Sequence, residues 1–106
     1  MNKKCVVLQK PINSTALILR VARSFPCLDG ILGDWNPQKF DADVFASMMG
    51  RWSSVERMPG LFVLCVWNPG YAEDQGWKFD LFDFVGAADS SNKAALQAWM
   101  DNPIWP

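Results

Sequence analysis

Asp80 and Asp83 lie three positions apart, a spacing that puts two carboxylates on one face of a helix. Two acids held together can share a proton or bind a divalent cation. Hydrolytic chemistry would want a further ligand or a third acid, and no spacing in the chain supplies one. The pair therefore reads first as solvated acids beside an apolar stripe. Asp41 with Asp43 reads as a helix start, and Glu73 with Asp74 as part of a loop. Histidine is absent, which removes the usual zinc ligand and the usual general base near neutral pH. Of the three cysteines, Cys65 lies inside an apolar run, where burial keeps a thiol protonated, and Cys5 and Cys27 have no activating neighbour in sequence. The chain carries no glycine-rich phosphate loop and no metal-ligand cluster. The expectation is a protein that is not an enzyme and uses neither metal nor cofactor.

Charge is spread unevenly. The formal net charge is −1, yet residues 1–28 hold Lys3, Lys4, Lys10, Arg20 and Arg23 with no acid, while residues 29–106 hold eleven acids against five bases. Arg20, Arg23 and Lys10 could track the phosphates of a nucleic acid, but the whole chain lacks the basic excess of such binders. Docking of the N-terminal segment on the acidic remainder of its own fold is the preferred reading. Contact with another protein, or with a second copy, is the function favoured by elimination. Six Trp and seven Phe are many for 106 residues, and Trp and Arg are common interface anchors. The candidate contact residues are Ile104 and Trp105 in the apolar C-terminal tail, Trp77, and the acids Asp80 and Asp83. The tail either folds back onto the core, which is the preferred expectation, or stays free to bind. Two alternatives stand beside this one. An acidic surface could inhibit a host nucleic-acid-processing system by competing for a basic surface, and a pocket lined by Trp and Met could hold a small molecule.

The elements that must position these residues surround the seven-residue apolar run Leu61–Trp67, which has no polar face and must be buried on all sides. Leu17, Val21 and Phe25 predict a helix over 14–25, opened by Asn13, Ser14 or Thr15 and closed by Pro26. Residues 26–39, broken by Pro26, Gly30, Gly33 and Asn36-Pro37, read as a loop. Asp41 or Asp43 caps a second helix carrying Phe45, Met48, Met49, Trp52 and Val55. Ser53 and Glu56 match a capping box, which would start a helix running into 61–67. Pro59 opposes this at roughly 3 kcal/mol, so a buried strand at 61–67 competes closely with the helix. Over 77–88, Trp77, Leu81, Phe84, Val85 and Ala88 fit a helical stripe. Asp89-Ser90-Ser91 caps a last helix, and Asn102-Pro103 ends it. The predicted fold is a mainly α domain spanning 1–106 around the 61–67 segment, with a short strand or extended arm at 5–9. The runner-up is α+β, with strands near 5–9, 61–67 and 78–84.

The segments Phe62-Val63-Leu64 and Val66-Trp67-Asn68-Pro69, the stretch 79–83, and the stretches 94–99 and 102–106 together resemble small uncharacterised proteins of bacterial plasmids, integrative elements and gene cassettes. The resemblance covers roughly residues 53–106. It implies a mostly helical C-terminal half and an origin on a mobile element, and it carries no assigned catalytic or binding residues. An odd number of cysteines without a CxxC pair, no visible secretory signal, and no apolar stretch approaching the ~18 residues of a membrane span point to a cytoplasmic protein away from the membrane.

Overall fold

The computed structural model describes residues 13–106. These form seven α-helices and one 3-10 turn: α1 (Ser14–Arg23), α2 (Pro26–Leu32), α3 (Ala42–Met48), the 3-10 turn Met49–Arg51, α4 (Ser54–Trp67), α5 (Pro69–Gln75), α6 (Leu81–Ala87) and α7 (Ser90–Asp101). No strand occurs among the described residues, so the fold is mainly α. Of the three strands in the α+β alternative, 61–67 is helical, 78–84 divides into a non-helical lead over 78–80 and the first residues of α6 over 81–84, and 5–9 lies outside the described residues.

α4 is the centre. It packs on α1, α2, α3, α5 and α6. Ser53 opens it with a full capping box: its backbone N–H donates to Glu56 Oε1 at 2.9 Å, and the Glu56 N–H donates to Ser53 Oγ at 3.4 Å. Pro59 sits inside the helix and is buried. The proline removes one helical hydrogen bond and crowds the turn before it, at roughly 3 kcal/mol. Burial of Phe62, Val63, Leu64 and Val66 returns about 1.5–3 kcal/mol each. Burial wins, and the apolar run becomes a core helix rather than a strand. Phe62 is the hub of an aromatic cluster, with ring centroids 5.7 Å from Phe25, 5.2 Å from Phe79 and 4.9 Å from Trp99.

Several local expectations need correction. Residues 26–32 are α2 rather than loop. Phe25 takes the N-cap position and Pro26 the first turn, where a missing N–H costs nothing. The same proline thus closes α1 and opens α2. At the start of α1 the Asn13 side chain makes no capping bond, and Thr15 Oγ1 instead accepts from the Phe40 N–H at 2.9 Å. Glu73 and Asp74 lie in α5, not in a loop. That helix starts with Asn68 Oδ1 accepting from the Tyr71 N–H and Pro69 in the first turn. It ends at Gly76, whose φ of 77° is the left-handed cap that favours glycine. The three Asn-Pro pairs consequently do different work: 36–37 lies between helices, 68–69 begins one, and Asn102 ends another. No described helix is long and apolar enough to cross a membrane.

Candidate interaction surface

α6 is the element whose sequence and packing disagree most. Asp80 is its N-cap, and its carboxylate accepts the Asp83 N–H at 2.9 Å. Starting the helix at Leu81 leaves only Phe84 facing inward, where it meets Phe25 at 6.1 Å and Phe79 at 5.6 Å between ring centroids. Leu81, Phe82 and Val85 remain 45%, 86% and 48% exposed. Val85 is three residues from Phe82 and four from Leu81, so it neighbours both on the helix surface. Along the chain, Asp80, Asp83 and Asp89 lie in and beside this helix, with Lys78 and Lys93 bracketing the stretch. The stripe expected from sequence placed Leu81 and Val85 inside with Phe84, and the structure turns both to solvent. Trp77 and Phe79 precede the helix, in backbone that is neither helix nor strand.

The carboxylate pair changes meaning as well. Asp80 is ahead of the helix rather than on its face, and its Oδ1 accepts the backbone N–H of Asp83. Both acids are exposed. Among the described residues no three His, Cys, Asp or Glu side chains converge as a metal site would require. Burial pushes the Cys27 thiol up, helped by the negative charges of Glu56 and Asp89, and burial likewise raises Cys65. Both are therefore protonated at neutral pH. The Cys65 thiol lies 3.6 Å from the Trp77 carbonyl oxygen, which accepts its weak hydrogen bond.

The tail folds back, and only part of it is covered. The Trp99 Nε1–H donates to the Ile104 carbonyl at 3.1 Å, and the half-buried Ile104 packs against the core. Trp105 stacks edge-on against Trp99 with centroids 4.9 Å apart, yet stays 63% exposed. Trp77 is half-buried against Tyr71, 5.6 Å away. Of the basic candidates, Arg23 is held within the fold: it pairs with Asp29 at 2.9 Å and donates to the Trp35 carbonyl at 2.8 Å. Arg20 is exposed, and Lys10 lies outside the described residues. Arg20 and Arg23 accordingly do not offer two free charges to a phosphate backbone.

No family model matches this chain, and no curated protein or solved structure does either. Leu81, Phe82 and Val85 are the surface residues that periodicity missed. A signal was present in Leu81-Phe82-Asp83-Phe84-Val85: four apolar residues in five cannot all face inward from a helix only two turns long.

Proposed function

We propose that the protein is a non-enzymatic interaction module that binds another protein through the α6 face, with Trp105 as a further contact. The observation that supports this most directly is Phe82, a large aromatic side chain left 86% exposed beside Leu81 and Val85. Contiguous apolar exposure of this kind marks contact surfaces on otherwise soluble folds. Asp80 and Asp83 at the start of α6 and Asp89 just after it, against Lys78 and Lys93 at the ends of that stretch, favour a partner segment that is apolar on one side and carries a basic group at its edge. The resemblance of residues 53–106 to proteins of plasmids and gene cassettes supports an accessory role on a bacterial mobile element. The unpaired cysteines Cys27 and Cys65 suit a reducing cytoplasm.

The test uses an amphipathic Lys/Leu helical peptide and a scrambled peptide of identical composition, compared by fluorescence anisotropy. The protein should bind the amphipathic peptide about tenfold more tightly, the equivalent of roughly 1.4 kcal/mol. Phe82→Ser should erase that preference. Asp80→Asn with Asp83→Asn should weaken binding and flatten its salt dependence, while asparagine preserves the cap. Equal affinity for both peptides, or an unchanged preference in Phe82→Ser, overturns the reading.

A further inference from the structure

A second surface feature is independent of α6. Between α2, the end of α3 and the 3-10 turn lies an open cleft of about 450 Å³, lined by Ile31, Ser47, Met48, Arg51 and Trp52. That volume is within the range of small-ligand sites. Its apolar wall is the exposed Ile31, the half-buried Met48 and the buried Trp52. The wall is held firmly at Trp52. The indole meets Phe45 edge-on at 5.6 Å, and Gly60 of α4 packs so closely that a Cβ there would stand 3.0 Å from Trp52 Cζ3.

Two polar side chains line the cleft, Ser47 and Arg51. Ser47 spends its hydroxyl proton on the Val44 carbonyl at 2.7 Å, so toward the cleft its oxygen can only accept. Arg51 is exposed and has no carboxylate or hydrogen-bond partner among the described residues, where the one ion pair is Arg23–Asp29. No acid lines the cleft. An apolar wall containing an indole, beside an uncompensated guanidinium, is complementary to a molecule with a flat apolar body and one anionic end. A carboxylate fits best, because the guanidinium fork can meet both of its oxygens in one plane.

We propose that this cleft binds a small aromatic carboxylate, with the ring against Ile31, Met48 and Trp52 and the carboxylate on Arg51. The probe is 2-naphthoate, followed by ¹⁵N NMR titration of the full chain, with 2-naphthalenemethanol as the uncharged control. Saturable shifts should concentrate at Ile31 and residues 47–52. The alcohol should bind about tenfold more weakly than the acid. Arg51→Gln should lose that difference, and Arg51→Lys should recover part of it as a point charge without the fork. Ile31→Glu, at an exposed site, should abolish naphthoate binding by placing a carboxylate on the rim. The proposal fails if binding does not saturate by about 5 mM, if the shifts fall outside these residues, if acid and alcohol bind alike, or if Arg51→Gln retains the acid's advantage. Dispersed, native-like spectra of each variant establish that a lost response is not lost folding.

Discussion

Asn92 is buried although polar, and it is satisfied on both sides. Its Oδ1 accepts the Cys27 N–H at 3.2 Å and its Nδ2 donates to Asp89 Oδ1 at 2.7 Å, so one side chain ties the start of α7 to α2. The backbone N–H of Asn92, its side-chain amide and the Ser91 hydroxyl together hold the Asp89 carboxyl below the usual carboxylate range. A carboxyl depressed in the folded state contributes stability that is complete above its unfolded pKa of about 4, and loses it as pH falls through the lower folded value. Asp89→Ala should therefore be less stable than the parent at pH 7, with the gap narrowing in denaturant melts below about pH 4. A gap that stays constant to the end of the acid limb would mean that the ionised cap contributes nothing. Asp89 was readable as a cap from its neighbours Ser90 and Ser91. The tie to Cys27 was not, because 65 positions separate the two partners.

Helix propensity and packing separate cleanly at two glycines. Gly86 in α6 has nothing within 4 Å of where a Cβ would stand, whereas at Gly60 in α4 a Cβ would meet Met49 Sδ and Trp52 Cζ3, both at 3.0 Å. Replacing glycine by alanine in a helix gains up to about 1 kcal/mol by propensity alone. Gly86→Ala should realise that gain. Gly60→Ala should fall below Gly86→Ala by about 1–3 kcal/mol, since the rigid indole cannot yield as a methionine can. Urea melts of the two variants decide it, and equal stabilities would show that the α4–Trp52 contact is loose. The capping box of α4 and the Asp caps of α3 and α7 were legible because such signals act across two to four residues. α2 and α5, seven residues each, were not. Helices that short do not persist alone in water, so their residues become helical only where neighbouring elements bury them.

For the molecule as a whole, the tail tests how closure of the core relates to its surface. A chain ending at Pro103 removes the half-buried Ile104 and leaves Trp99 Nε1–H without its acceptor. It should lose about 1–3 kcal/mol of stability. Trp105→Ser, which changes a side chain 63% exposed, should cost less. Denaturant melts measure both, with light scattering alongside. If the parent is a dimer and Trp105→Ser a monomer, Trp105 is an interface anchor between copies. Loss of stability equal to that of the shortened chain would make its ring part of the core.

Two kinds of information are separable in this chain. The amino-acid pattern alone favours a mainly α fold over α+β, puts residues 61–67 at its centre with helix and strand in close competition there, and offers Asp41 or Asp43, Ser53 with Glu56, and Asp89 as helix starts. These follow from periodicity and from side chains that serve amides a few residues away. Tertiary structure decided what no local rule reaches. It carried the helix through Pro59, because burial of Phe62, Val63, Leu64 and Val66 outweighs one lost hydrogen bond. It rotated α6 so that Phe84 alone is covered, and it brought Ile31 beside Met48, Arg51 and Trp52. Burial is a property of the assembled neighbours, so which apolar residues remain on the surface is settled only when every helix is in place.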